Sequence, residues 1–203
     1  MEYYFLSPTF FKQTIMKYDK VKDFYNKNFK HYAYNNDKQD TKTLKEFMMR
    51  LPGERKVLDV GAGTGVDSHY FQDCYEGSLA FDFSEKMVEL GKSGGVKNYV
   101  EGEFLAYDFN EKFDGVWCSS SIFSYYDKKD RAKAYNKVYK LLNKDGALGV
   151  VYKSDKSKNK KGDVKMFSDK ELADELCKTK FNVEAFQTLN YAQNQWVLVF
   201  LNK

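Results

Sequence analysis

A glycine-rich turn directly after an aliphatic run is the feature that most constrains this chain. The run, 57–60, has the composition of a parallel strand that is buried on both faces of a sheet. Gly61, Gly63 and Gly65 follow it, and the next segment, 66–74, has the pattern of a helix. A strand, a glycine turn and a helix in this order begin nucleotide-binding α/β domains. The chain is therefore expected to adopt an α/β fold with a ligand at this turn.

Short apolar segments alternate with helical ones over the rest of the chain. Strands are predicted at 56–60, 78–82, 98–104, 113–119, 146–153, 182–189 and 195–202. Helices are predicted at 66–74, 85–93, 128–142 and 169–180. Because no helix separates the last two strands, they are expected to pair antiparallel. The pattern predicts a doubly wound, mostly parallel seven-stranded sheet with an antiparallel C-terminal strand pair.

Polar residues mark the starts of two predicted helices. Ser84 is expected to cap the second one, with Glu85 in its first turn and Lys92 in its last. This order of charges is the one that the helix dipole favours. Ser168 and Glu171 have the spacing of a capping box at the start of the last predicted helix.

The predicted helix 128–142 has one apolar stripe. Its members, spaced three or four residues apart, are Ala132, Tyr135, Tyr139 and Leu142. Side chains with this spacing lie on one side of a helix, so the stripe is expected to face the core.

Composition limits the function classes. The 203 residues, of which 42% are hydrophobic, suffice for one folded domain. The net charge is only +4 and three of the basic residues are Arg, so nucleic-acid binding is not expected. The three cysteines and two histidines match no metal-ligand spacing, and no apolar run has the length of a membrane span. We expect a cytoplasmic protein without a metal or membrane contact.

An acid after the second predicted strand narrows the choice of ligand. Asp82 ends that strand, 21 residues after Gly61, where a carboxylate can accept hydrogen bonds from ribose hydroxyls. Val66 stands where the dinucleotide fingerprint G-x-G-x-x-G has its third glycine. An adenosine-containing ligand without a pyrophosphate is therefore favoured, and an NAD-dependent oxidoreductase is disfavoured.

Several segments resemble class I S-adenosylmethionine-dependent methyltransferases. Residues 57–65 (VLDVGAGTG) resemble their first motif, 80–92 (AFDFSEKMVELGK) their second-strand segment, and 141–151 (LLNKDGALGVV) a later hairpin-and-strand motif. Residues 113–125 (FDGVWCSSSIFSY) are similar to their fourth strand. Within the family, the tellurite-resistance-type branch is resembled by residues 63–71 (GTGVDSHYF), 113–130 (FDGVWCSSSIFSYYDKKD), 151–156 (VYKSDK) and 167–172 (FSDKEL). The resemblance runs from about residue 25 to the C-terminus, and it implies an enzyme that uses S-adenosylmethionine.

The resemblance also implies which residues contact this cofactor. The glycine turn would surround its methionyl part, Asp82 would hold the ribose, and Glu103 would accept the adenine amino group. Aromatic residues from the N-terminal region would close over it. The implied cofactor-binding residues are Tyr25, Tyr32, Asp59, Gly61, Ala62, Gly63, Thr64, Gly65, Asp82, Phe83, Glu103, Phe104 and Ser119.

The acceptor is expected at the carboxyl ends of the fourth and fifth strands. Residues 1–50 would form a helical extension covering this site, and 51–203 would form the methyltransferase domain. A general base is needed only if the acceptor must lose a proton, and the candidates are His31, Tyr125 and Tyr152. The other pocket candidates are Tyr25, Tyr32, Ser120, Ser121, Phe123, Tyr126 and Lys153.

Two alternatives stay open at this level. Binding residues do not establish turnover, so the chain is either a methyltransferase with a small-molecule acceptor or a non-catalytic protein that binds S-adenosylmethionine or S-adenosylhomocysteine. The lysine-rich segment 154–163 is interpreted as a solvated surface loop, and the alternative is a cover over the pocket.

Overall fold

A seven-stranded sheet organises the computed structural model, which describes residues 18–35, 40–157, 164–191 and 194–203. The strands are β1 (Val57–Val60), β2 (Leu79–Asp82), β3 (Tyr99–Glu101), β4 (Phe113–Ser119), β5 (Leu142–Lys153), β6 (Asn182–Tyr191) and β7 (Asn194–Asn202). Their order in the sheet is β3-β2-β1-β4-β5-β7-β6. Neighbours from β3 to β5 are parallel, and β7 lies antiparallel between β5 and β6. The predicted doubly wound sheet with its antiparallel C-terminal pair is confirmed.

Helices flank this sheet. In the described ranges they are α1 (Asp19–Asn35), α2 (Thr41–Met48), α3 (Val66–Cys74), α4 (Glu85–Ser93), α5 (Ile122–Tyr125), α6 (Lys128–Leu141) and α7 (Asp169–Leu176). Ser84 caps α4 by accepting a hydrogen bond from the Met87 N–H at 3.3 Å, and Ser168 and Glu171 form the capping box of α7. Both predicted caps are therefore confirmed. None of these helices has both the length and the apolar composition needed to cross a membrane.

The hydrophobic core fills both faces of the sheet. Val138 of α6 packs on one face and Phe47 of α2 packs on the other, and both side chains are completely buried. The helix connections of β1, β2 and β4 thus cover the sheet from both sides. What they leave accessible is the carboxyl edge of the strands, where the loops emerge.

The apolar side of α6 differs from the predicted stripe. Ala134, Tyr135, Val138 and Leu141 are buried, whereas Ala132 is exposed. Both rows have helical spacing and both contain Tyr135, so spacing alone could not separate them. The buried row contains the aliphatic side chain of Val138, which gains more from burial than the methyl group of Ala132.

Strand β3 is shorter than the predicted strand 98–104. Directly after it, the Gly102 N–H donates to the Asp82 carbonyl at 2.9 Å. The Glu103 carboxylate then accepts from the Ala106 N–H at 2.8 Å. This side-chain bond to a nearby amide stabilises a turn in place of further strand.

The segment predicted as a solvated loop begins inside the fold. Ser154 and Ser157 are buried, and their hydroxyls bond to the side chain and carbonyl of Gln195 at 3.2 and 2.7 Å. The prediction of a solvated loop is thus wrong for Ser154 and Ser157, because β7 supplies hydrogen-bond partners, whereas Asp155 and Lys156 between them are exposed. Residues 158–163 lie outside the described residues.

Candidate ligand-binding site

The glycine turn lies where the order of the strands reverses. β1 has β2 on one side and β4 on the other. The chain therefore proceeds outward from β1 to β3 and then returns to the opposite side of β1. Loops diverge at such a switch point and leave a crevice, which is where open α/β sheets bind ligands.

The three glycines of the turn have different surroundings. All have left-handed φ angles: +73° at Gly61, +58° at Gly63 and +83° at Gly65. A Cβ atom at Gly61 would lie 2.3 Å from the Ser121 Cβ, and one at Gly65 would lie 2.4 Å from a Val96 methyl carbon. A Cβ at Gly63 would meet nothing within 4 Å. Gly61 and Gly65 thus permit close packing of the protein on itself, whereas Gly63 faces open space.

Asp82 is fixed against the middle of this turn. Its carboxylate accepts hydrogen bonds from the Gly63 N–H at 2.9 Å and the Ser84 N–H at 2.8 Å. The Tyr99 hydroxyl donates to the Gly63 carbonyl and holds the turn from the other side. Burial raises the pKa of Asp82 to about 6, against the opposing effect of the N–H donors. A carboxylate has further acceptor capacity after two bonds, so Asp82 can still receive hydroxyl donors.

Two further acids lie behind the turn. Asp59 of β1 accepts a hydrogen bond from the Ser68 hydroxyl at 2.6 Å, and Asp67 of α3 accepts one from the Trp117 Nε1 at 2.9 Å. Burial raises the pKa of both carboxyls, and the charge of Asp67 raises that of Asp59 further. No Lys or Arg in the described ranges forms an ion pair with either acid or with Asp82. We call Asp59, Asp67 and Asp82 the acid group.

Two buried hydroxyls at the turn lack a partner within the described structure. They belong to Thr64 and Ser121. Ser120, which precedes Ser121, has a φ of +50°, and its N–H donates to the Val151 carbonyl at 3.0 Å. This unfavourable backbone conformation turns the chain after β4 so that Ser121 contacts Gly61. Buried polar groups are normally satisfied, so these hydroxyls are suited to a bound molecule.

Helix α1 lies over the carboxyl end of β2. The Tyr25 ring contacts the rings of Phe83 and Tyr125 edge-on, with centroids 6.4 and 5.7 Å away. The Asn26 amide oxygen accepts from the Ser84 hydroxyl at 2.7 Å. An aromatic wall thus stands beside the residues that hold Asp82, as expected for residues from the N-terminal region.

The described structure supports no site contact for the other α1 residues that were named from the sequence. His31 is exposed, six residues beyond Tyr25 on the helix. Tyr32 also belongs to α1, but its side chain lies outside the described structure. Lys22 forms an ion pair with Glu101 at 2.9 Å, which ties α1 to the end of β3. A role for His31 as a base stays a prediction.

Glu103 and Phe104 follow β3 and differ in accessibility. The Glu103 carboxylate accepts from the Ala106 N–H and from the Tyr126 hydroxyl, and the residue remains partly exposed. The Phe104 ring is buried against Phe81. Apolar packing draws the ring into the core, so a cofactor contact from Phe104 would involve its backbone, and its role stays a prediction. The role of Glu103 stays a prediction.

Comparisons with known proteins agree with this geometry. Residues 57–146 match a family model described as a methyltransferase domain. A solved structure of magnesium protoporphyrin IX methyltransferase from Synechocystis with bound S-adenosylmethionine superposes with a TM-score of 0.68 at 14% identity, covering 91% of this chain and 96% of that chain. The sheet therefore has the class I methyltransferase fold, and residues 57–146 resemble a methyltransferase domain. The resemblance to the tellurite-resistance-type branch stays a prediction.

Two curated relatives are similar to part of this chain. The malonyl-acyl-carrier-protein O-methyltransferase of Enterobacter lignolyticus is 29% identical over 125 residues, which cover 60% of this chain and 48% of that protein. The demethylmenaquinone methyltransferase of Renibacterium salmoninarum is 32% identical over 103 residues, which cover 50% and 42%. The match thus spans about half the length of these relatives or less.

The expected acceptor wall of the methyltransferase domain is partly closed. Tyr152 and Phe123 are buried in the core, and the Tyr152 hydroxyl bonds to that of Tyr135. The prediction of Tyr152 as a base is therefore wrong for this structure, because the side chain points into the sheet packing instead of the crevice. Ser119 is half-buried at the end of β4, and Lys153 is largely buried with its Nζ 5.8 Å from the Trp196 ring centre.

A separate cavity of about 450 Å³ lies at the amino ends of β1 to β3. Its basic residues are paired, Lys56 with Glu111 at 2.5 Å and Lys97 with Glu76 at 3.0 Å. Parallel strands bind ligands at their carboxyl ends, so we assign the site to the glycine turn rather than to this cavity.

Three contributions to the site were missed from the sequence. They are Asp67, Tyr99 and Asn26. Asp67 did carry a signal, because an acid in the first turn of the helix after the glycines faces the crevice end of that helix. The contacts of Tyr99 and Asn26 join segments distant in sequence, and no local pattern marks them.

Proposed function

We propose that this chain is an S-adenosylmethionine-dependent methyltransferase that acts on a small-molecule acceptor. The observation that carries the proposal is the acid group beside a glycine turn that is open at Gly63. Buried carboxylates without paired cations favour a ligand with positive charge. S-Adenosylmethionine has a sulfonium and an ammonium group, whereas NAD would bring the negative charges of a pyrophosphate to the same turn.

The residues at the turn fit this cofactor. Asp82 has acceptor capacity for the ribose hydroxyls, and the absence of a side chain at Gly63 permits close approach. The unpartnered hydroxyls of Thr64 and Ser121 offer hydrogen bonds to its polar groups. Asp59, the acid of β1 directly before the turn, adds negative charge beside the expected position of the methionyl ammonium. When bound, the cofactor supplies an activated methyl group on sulfur.

The contribution of this chain is to bind, align and exclude water. The aromatic wall of Tyr25, Phe83 and Tyr125 covers the crevice and suits an apolar or aromatic acceptor. Alignment of two reactants can by itself supply much of the rate enhancement of a transfer reaction. The named relatives act on chemically different acceptors, and the domain that they share supports the type of reaction rather than one acceptor.

Thermal unfolding with ligands tests the proposal. S-Adenosylmethionine and S-adenosylhomocysteine should each raise the melting temperature, and NAD should not. Asp82→Ala should weaken binding of both, by about a hundredfold for the loss of charged hydrogen bonds to two hydroxyls. Asp73→Ala, at an exposed position of α3, is the matched control. Stabilisation by NAD alone would contradict the proposal.

Turnover separates the enzyme from the alternative of a binding protein. The chain should convert labelled S-adenosylmethionine to S-adenosylhomocysteine in the presence of a cell-derived metabolite pool, and the methyl group should appear in a low-mass product. Binding without turnover under these conditions would favour the non-catalytic interpretation.

A further inference from the structure

Asp67 is a charged group of the site that the proposed contacts leave without a defined task. It lies in the first turn of α3, directly after the glycine turn. One of its oxygens accepts the Trp117 Nε1 hydrogen bond, which fixes the orientation of the carboxylate. The ring of Trp117 is itself buried in the core, so the position of Asp67 is held by the packed sheet.

The charge of Asp67, which is half-buried, adds to that of two buried carboxylates. Asp59 receives a neutral hydroxyl and Asp82 receives two backbone N–H groups. Neutral donors reduce the cost of burial but leave the net negative charge in place. Lys22, whose charge acts weakly on Asp82, is itself paired with Glu101 at 2.9 Å. The acid group thus gives the crevice a net negative charge once its carboxyls are ionised, as Asp82 is above about pH 6.

An independent observation indicates that a ligand enters this field. The Ser121 side chain is more than nine-tenths buried, and its hydroxyl, which acts on the Cys118 thiol, has no nitrogen or oxygen partner among the described residues. The Ser121 side chain packs on Gly61, which lies two residues after Asp59. Gly63, in the same turn, faces open space. Polar atoms of a molecule that satisfies Ser121 therefore lie beside the acid group.

We propose that Asp67 is a specificity-determining residue that makes this site bind the cationic cofactor more tightly than the neutral product. The inference rests on the proposed function. In the transfer, the bond between the methyl carbon and sulfur breaks and its electron pair stays on sulfur. The acceptor supplies the pair for the new bond to the methyl carbon, and sulfur changes from a sulfonium to an uncharged thioether. The attraction to the acid group falls at that moment, which favours release of S-adenosylhomocysteine.

The size of the effect follows from Coulomb's law. At the effective dielectric constant of protein sites, one unit charge at a separation of about 10 Å changes the affinity for a cation by about tenfold. The same charge has little effect on a neutral thioether. Removing the charge of Asp67 should therefore weaken the binding of S-adenosylmethionine and leave the binding of S-adenosylhomocysteine nearly constant.

The test measures dissociation constants by calorimetry at pH 8 for three ligands: S-adenosylmethionine, S-adenosylhomocysteine and sinefungin, which has an amine in place of the sulfonium. Asp67→Asn removes the charge and keeps an oxygen for the Trp117 hydrogen bond. We expect it to weaken the two cationic ligands about tenfold and S-adenosylhomocysteine less than twofold. Asp73→Asn, the same change at an exposed position of the same helix, should alter none of them.

The outcomes separate this inference from the proposed function. Equal weakening of all three ligands by Asp67→Asn, or no weakening of any, would overturn the charge-selective role while leaving cofactor binding intact. Failure of the unaltered chain to bind either S-adenosylmethionine or S-adenosylhomocysteine would instead overturn the proposed function. The melting temperature without ligand verifies that both variants are folded.

Discussion

Two buried groups of charges in this molecule are built in opposite ways. In the acid group, Asp59, Asp67 and Asp82 receive hydrogen bonds only from neutral donors. At the junction of α6 and α7, by contrast, Arg131 binds Glu175 through two bonds of 2.7 Å. Both groups are withdrawn from water, but only the second is compensated within the described protein.

The difference separates a structural charge from a functional one. The Arg131–Glu175 ion pair is satisfied within the protein, so its effect is to fix the docking of two helices. Uncompensated buried acids reduce the stability of the ligand-free protein, and groups of this kind are concentrated at functional sites. We infer that the acid group is retained for what it binds, and each prediction below tests that distinction.

The largest effect is expected when the compensated group is broken. Arg131→Ala leaves Glu175 with a largely buried, unpaired charge and removes the bond of the guanidinium to the Tyr126 carbonyl at 2.7 Å. The free energy of unfolding in urea should fall by about 3–5 kcal/mol. Lys156→Ala, which breaks the exposed pair with Asp169, should cost less than about 1 kcal/mol. Similar losses of stability in Arg131→Ala and Lys156→Ala would show that the buried ion pair contributes no more to folding than the exposed one.

The same distinction can be tested within the glycine turn. Gly61→Ala places a Cβ against Ser121 at a left-handed φ, so unfolding should become easier by about 3 kcal/mol. Gly63→Ala has the left-handed φ but no clash, and the cost should be about 1 kcal/mol. Calorimetry should nevertheless show a clear loss of S-adenosylmethionine affinity in Gly63→Ala. Intact affinity there would show that the open space is not used by the cofactor.

The fold was predictable because local patterns determine it. The aliphatic run 57–60 and the glycines after it define the central strand and its turn, and the capping residues define where helices begin. The absence of a helix between the last two strands predicts their antiparallel pairing. Each of these signals lies within a few residues of the element that it specifies.

The side-chain roles were predicted less well because they depend on distant contacts. Tyr152 was expected in the crevice, but alternation along β5 turns its ring to the core beside Tyr135. Phe104 was expected at the cofactor, but Phe81 and its neighbours bury it. The placement of Asp82 was within reach of sequence reasoning, since a strand end and its spacing from the glycines specify it.

The pH dependence of stability should show the cost of the acid group. The pKa of Asp82 is raised from 3.8 to about 6 in the folded protein, so the folded state binds more protons than the unfolded state between these values. Stability should therefore increase as the pH falls from 7.5 to 5, by about 1 kcal/mol from this residue. Burial acts in the same direction on Asp59 and Asp67.

Urea unfolding of the ligand-free protein over this pH range measures the effect, and Asp82→Ala should reduce the slope. S-Adenosylmethionine should show the opposite trend, because binding that uses the ionised carboxylate weakens as the pH falls through about 6. A ligand-free stability that decreases on acidification over this range would contradict the assignment.

The smallest effect compares one acid of the acid group with an acid of α6 that is paired with a cation. Asp67→Asn removes a charge that repels Asp59, so the ligand-free protein should become more stable, by about 0.5 kcal/mol. Asp130→Asn removes a charge that is paired with Lys133 at 2.7 Å and receives the Tyr18 hydroxyl at 2.8 Å, so stability should fall by about 1 kcal/mol. Urea unfolding at pH 8 resolves the two signs. Because both changes replace one carboxylate by an amide, their opposite signs would arise from the surroundings alone, and a loss of stability in both would show that the acid group contributes to folding as well as to binding.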